Sequence, residues 1–250
     1  MYLQWQFASV GYSRYGTGRE GIFSCFIVKR FLPASTPGRL ARNEPLNPAL
    51  LRGPARLPEP FRANRCLFIN VFGCEGDAVH AALFGHTNPG HVPLRWYEHK
   101  FPEHYAGAFK FAFVRDPVER AYVAWARLME ARLFQAAEAC EDMDADEGFD
   151  GFVAHTLTPE VLRTYPEFAP QTDFLVDAQG VLRLDFIGYY ETLMRDFGSL
   201  RDFLCIPAVL PWSAPAYERT PQRVRYAVGP AARKRLRQLY ARDYELLGYD

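Results

Sequence analysis

The residue best placed for chemistry is Arg115. It follows the apolar run FKFAFV (109–114) and precedes Asp116, Pro117 and Glu119. Asp116 sits where a helix N-cap belongs, Pro117 at the first helical position and Glu119 three residues after the cap, which is a capping-box arrangement. A guanidinium at the end of a strand, beside a helix N-terminus, is a natural site for a phosphate-like anion. The same spacing also lets Arg115 pair with Asp116 or Glu119. A second candidate follows the run CLFINVF. There Gly73, Cys74, Glu75, Gly76, Asp77 and Ala78 could wrap backbone N–H groups around an anion ahead of the next helix. The alternative is a plain strand-to-helix turn with Gly73 and Gly76 supplying its conformation. The Gly-Lys-Ser/Thr ending of a Walker A loop is missing, which disfavours a P-loop kinase.

These candidates need elements to hold them. CLFINVF and FKFAFV are short, nearly continuous apolar runs, as buried parallel strands should be. The first leads into a short helix through AVHAALFGH. The second leads into a strong helix over 116–140, with an apolar stripe at Val118, Tyr122, Trp125, Met129 and Leu133. Between them lie a Pro89–Gly90 break and a polar segment with Trp96 and Tyr97. An acidic loop, EDMDADEGFD, follows the long helix and lacks an EF-hand pattern, so it reads as solvated. Further on come a small helix near 150–157 and a hairpin-like turn at 177–180. Helices are expected over 191–204 and 230–247. Strand–loop–helix units in the centre argue for an α/β fold with a mostly parallel sheet flanked by helices.

The chain has 250 residues, of which 49% are hydrophobic and 23% charged, enough for one sizeable core. Residues 33–60 carry seven prolines and no sustained period, so an irregular stretch is expected there. The expected division is an N-terminal extension over 1–64 and one domain over 65–250. Lys plus Arg and Asp plus Glu are both 29, so nothing global suggests a nucleic-acid or anionic-membrane partner. Cys25, Cys66, Cys74, Cys140 and Cys205 are scattered and never form CxxC, which fits reduced thiols rather than disulfides or zinc. No metal is expected. No apolar run is long enough to span a bilayer, and the N-terminus lacks the order of a signal peptide, so a cytoplasmic location is expected.

FKFAFVRDPVERAYVAW resembles the 3′-phosphate motif of the sulfotransferase superfamily, in its carbohydrate-type branch. GHVPLRWYEHKFPEHYAGAFKFAFVRDP is similar to the stretch before that motif in bacterial relatives. PQTDFLVDAQGVLRLDFIGYYETLMRDFGSL resembles their Pro-Gln-x-x-Phe/Leu, Asp-x-x-Gly and Phe-Ile-Gly-Arg-Phe-Glu-x-Leu series, and LRQLYARDYELLGYD their closing helix. The resemblance covers about residues 65–250 in order. It implies a P-loop-like three-layer fold, 3′-phosphoadenosine 5′-phosphosulfate as sulfuryl donor, and a hydroxyl acceptor such as a carbohydrate. It also implies that Arg115 binds the 3′-phosphate, that residues 73–78 face the 5′-phosphosulfate, and that His91 is the general base.

The departures are as informative. The family's Pro-Lys-Thr-Gly-Gly-Thr-Ser loop aligns with Phe72, Gly73, Cys74, Glu75, Gly76, Asp77 and Ala78. Gly73 stands where the Lys would stabilise the leaving oxygen, and Asp77 and Ala78 where hydroxyls would bind the donor. Val123 replaces the Ser eight residues after Arg115, and Tyr189 the Arg of the Ile-Gly-Arg-Phe-Glu series; Arg115, Asp116, Pro117 and Arg120 are kept. Two functions are therefore in play: a divergent sulfotransferase, and a non-catalytic relative that keeps the fold as a binding module.

Overall fold

The computed structural model describes residues 53–85, 90–134, 148–210 and 228–250. Residues 1–52, most of the acidic loop and the expected helical continuation beyond 134 lie outside these. Both apolar runs form strands. In chain order, α1 (Glu59–Ala63) leads into β1 (Cys66–Ile69), and α2 (Gly76–Phe84), α3 (Leu94–Lys100) and α4 (Pro102–Gly107) precede β2 (Phe109–Val114). The third strand, β3 (Phe186–Tyr189), completes a sheet of order β1-β2-β3 among the described residues. Both pairings are parallel, with Phe68 opposite Phe111 and Phe113 opposite Gly188. The side chains of β1 are all buried, which is why its sequence is continuously apolar rather than alternating. Gly188 is required at its place, because a Cβ there would collide with the Phe113 ring.

After β2 the chain enters α5 (Pro117–Phe134), then α6 (Gly148–Gly151), a π-helical turn (Phe152–Thr156), α7 (Pro159–Thr164) and α8 (Thr172–Leu175). Following β3 and a 3₁₀ turn (Tyr190–Thr192) come α9 (Leu193–Leu204), α10 (Pro230–Leu239) and α11 (Ala241–Leu247). One apolar cluster fills the space around the sheet. A second, built on Val118, Ala121, Phe149, Phe152, Leu236 and Tyr240, lies under α5.

Two local readings of the sequence change. The polar segment after Gly90 is two helices, α3 and α4, with Leu94 and Tyr97 buried three residues apart; Phe101 and Pro102 break them. The helix expected over 230–247 is interrupted at Tyr240 (φ −106°, ψ 24°), whose buried ring takes its hydroxyl to the Phe168 carbonyl at 2.8 Å. The described end of the proline-rich stretch, 53–58, is irregular as expected; within it Gly53 lies against the Trp96 ring, and just beyond it Phe61 is fully buried, edge-on to His80, Phe84 and Tyr97. The turn at 177–180 is as expected, with Val176 bridged antiparallel to Leu182 and Asp177 Oδ1 accepting from the Gln179 and Val181 amides.

Candidate functional site

The C-terminal ends of β1 and β2 adjoin, which is where open parallel sheets place ligands. Arg115 leaves β2 there, but its surroundings are tightly specified. Gln171 grips its backbone on both sides, accepting from the Arg115 amide at 3.0 Å and donating to its carbonyl at 2.7 Å. Gln171 is held in turn by Asp243 of α11. That carboxylate accepts from the Gln171 and Thr172 amides, each at 2.9 Å, and from the Thr172 hydroxyl at 2.8 Å. The Arg115 guanidinium lies 3.8 Å over the Tyr190 ring. Its Nε is 3.8 Å from Glu119, and one terminal nitrogen is 3.5 Å from the Gly73 carbonyl. Arg115 is thus 2% exposed.

The helix cap is realised differently from the sequence expectation. Asp116 Oδ1 accepts from the amides of Val118 and Glu119 at 2.9 and 3.1 Å. The reciprocal partner of the Asp116 amide is Glu191, at 2.8 Å, rather than Glu119. Tyr249 donates to the other oxygen of Glu191, tying the segment after α11 to this cap. The α5 amides that the sequence offered to an anion are therefore taken by Asp116. Val123, in the place of the family's Ser, is buried.

The loop after β1 is a turn with two left-handed residues, Gly73 (φ 75°) and Glu75 (φ 56°). Its acidic side chains are both engaged. Asp77 Oδ1 accepts from Asn70 Nδ2 at 2.7 Å, and Glu75 lies 3.6 Å from Arg127 of α5. Cys74 donates to Gln171 Oε1 at 3.3 Å. Burial pushes its thiol up to about 12 against the pull of Arg120 and Arg115, so it is no nucleophile near neutral pH. Gly76 must be glycine, because a Cβ would enter the Asn70 amide. Ala78 packs on the core as the second full position of α2 after Gly76.

His91 joins this loop from the far side of the break at Gly90. Its ring stacks on Phe72 with centroids 3.4 Å apart, and Nδ1 lies 3.0 Å from the Asn70 carbonyl. A carbonyl accepts, so Nδ1 carries the proton and Nε2 holds the lone pair. Burial lowers the His91 pKa, opposed by the Asn70 contact and by Asp77 and Glu167. The neutral form needed for a general base is thereby favoured. Tyr189 serves the fold instead of an anion: its amide donates to Asp196 and its hydroxyl to the Leu247 carbonyl.

The site thus unites His91, the 73–78 loop and the Arg115 corner. Gln171, Glu191, Asp243 and Arg127 were not foreseen as part of it. The first two stand at the Gln of the Pro-Gln-x-x-Phe/Leu series and the Glu of the Phe-Ile-Gly-Arg-Phe-Glu series, and that match was the available signal. Among the described residues no cluster could hold a metal ion, and no helix is long and apolar enough to cross a membrane.

A family model described as "Sulfotransferase family" matches residues 85–250, a span that includes β2, Arg115, β3 and α11 but begins after β1 and its loop. No curated protein and no solved structure matches.

Proposed function

Because this chain belongs to the sulfotransferase family, we propose that it transfers a sulfuryl group from 3′-phosphoadenosine 5′-phosphosulfate to the hydroxyl of a carbohydrate or similar acceptor. The observation that carries this reading is His91: a neutral imidazole beside the 73–78 loop, with Nδ1 committed to Asn70 and Nε2 left as the basic atom. The acceptor oxygen attacks sulfur in line while the bond from sulfur to the bridging oxygen breaks. The acceptor proton passes to His91 Nε2, and adenosine 3′,5′-bisphosphate leaves. Such a reaction depends mainly on positioning and on stabilising charge. Arg115, with a terminal nitrogen facing the loop at Gly73, is the residue proposed for the 3′-phosphate. Without the loop Lys and hydroxyls, turnover slower by at least about 10²-fold than with an intact loop is expected.

A second reading has its own observation. Arg115 is enclosed by Tyr190, Glu119 and Gln171, and the α5 amides are capped by Asp116. That suits a relative that keeps the fold as a binding module and no longer takes the donor. Calorimetric titration separates the two. On the first reading adenosine 3′,5′-bisphosphate binds, and Arg115→Ala weakens it by about 2–3 kcal/mol while leaving adenosine 5′-monophosphate nearly unaffected. Equal losses for both nucleotides would make Arg115 structural. Absence of any binding by the unmodified protein would support the second reading.

A further inference from the structure

The loop after β1 lies along one face of α5. Gly73 backs onto Arg120, whose Cγ would stand 3.1 Å from a Cβ at that glycine. Glu75 reaches Arg127 at 3.6 Å. Arg120 and Arg127 are seven residues apart, so they share a helix face about two turns, or roughly 10 Å, apart along the axis. Their circumstances differ. Arg120 is fully buried and donates to the Glu167 and Ala169 carbonyls at 2.9 and 2.6 Å. Arg127 keeps 49% of its side chain exposed at the loop. Its charge also reaches His91, whose protonation it disfavours. A cation from a helix and a neutral imidazole therefore overlook the same loop, which contains two carboxylates and no Lys.

From this arrangement we infer that Arg127 is a donor-binding residue that supplies from α5 the positive charge the loop lacks, with Glu75 as the positioning residue that holds it there before the donor arrives. The inference rests on the proposed sulfuryl transfer. On binding, the guanidinium exchanges Glu75 for the 5′-phosphosulfate. As the bond from sulfur to the bridging oxygen breaks, its electron pair stays on the phosphate oxygen, whose growing charge Arg127 offsets.

The test is calorimetric titration of the full chain with adenosine 3′,5′-bisphosphate and with adenosine 3′-monophosphate. Arg127→Ala should weaken the bisphosphate by roughly ten- to a hundredfold and the 3′-monophosphate by less than about twofold. Arg127→Lys should recover most of the loss. Glu75→Gln should tighten the bisphosphate severalfold and leave the 3′-monophosphate unchanged, a selectivity that a purely structural pair would not produce. Arg127→Ala binding the bisphosphate like the unmodified protein overturns the role of Arg127 and leaves the donor reading intact. Failure of the unmodified protein to bind either nucleotide overturns both.

Discussion

Asp243 is the buried anchor on which the Arg115 corner depends, and its removal is the most telling test of the architecture. Its carboxylate is inaccessible to solvent and accepts three hydrogen bonds, from the Gln171 amide, the Thr172 amide and the Thr172 hydroxyl. Hydrogen bonds to a charged group contribute about 1.5–3 kcal/mol each, but they are not additive, and the packing relaxes after truncation. Asp243→Ala also strands two buried amides. A loss of about 3–5 kcal/mol is expected, a large share of the roughly 5–15 kcal/mol that holds a domain folded. Thr172→Val removes the hydroxyl bond and should cost about 1–2 kcal/mol. Urea denaturation of both single variants and the double variant gives the coupling, which should be at least about 0.5 kcal/mol. A loss below about 1 kcal/mol for Asp243→Ala, or full additivity, would refute the view that α11 braces Gln171 and through it Arg115.

Three further outcomes follow from the same geometry. Gly76→Ala, which would stabilise an open helix position, should instead destabilise by about 1–3 kcal/mol because its methyl enters the Asn70 amide; chemical denaturation decides the sign. Gly73→Lys, although it restores the family's residue type, should cost about 1–2 kcal/mol, since φ is 75° and a side chain there presses on Arg120; a thermal midpoint equal to that of the unmodified protein would contradict this. Burial lowers the pKa values of His80 and His91 below the ordinary 6.5. The unfolded chain therefore takes up protons first as pH falls. The contribution of these groups is complete above about 6.5 and declines below it, by at most about 1.4 kcal/mol per pH unit for each histidine, until the folded-state values are passed. Denaturation profiles in which His80→Phe leaves this acid slope unchanged would count against His80 as a source.

The strands were legible because a doubly covered parallel strand must be apolar at every position, and CLFI and FAFV are. The start of α5 was legible from Asp116 and Pro117, since capping is a local rule. What the chain does with Arg115 was not. Its partner Gln171, and the Glu191 and Asp243 carboxylates that hold the surrounding network, lie 56 to 128 positions away in sequence, and no periodicity reports such a network. The break at Tyr240 was hidden because the residues on either side keep helical spacing, while the Tyr240 backbone leaves the helix and its buried hydroxyl reaches the Phe168 carbonyl. The α3–α4 pair was missed for the opposite reason: its polar composition masked the Leu94 and Tyr97 pair that packs it down. At the site, the lost loop Lys was plain to see. The reach of Arg127 to Glu75 was not, because it required knowing that the loop lies along α5.

The most direct test of the central claim is hydrogen–deuterium exchange of the backbone with and without adenosine 3′,5′-bisphosphate. If the donor sits across the C-terminal ends of β1 and β2, exchange should slow in residues 70–78 and 115–121, while the α9 amides stay unchanged. Unaltered exchange in both stretches at millimolar nucleotide, or protection confined to other parts of the chain, would contradict it.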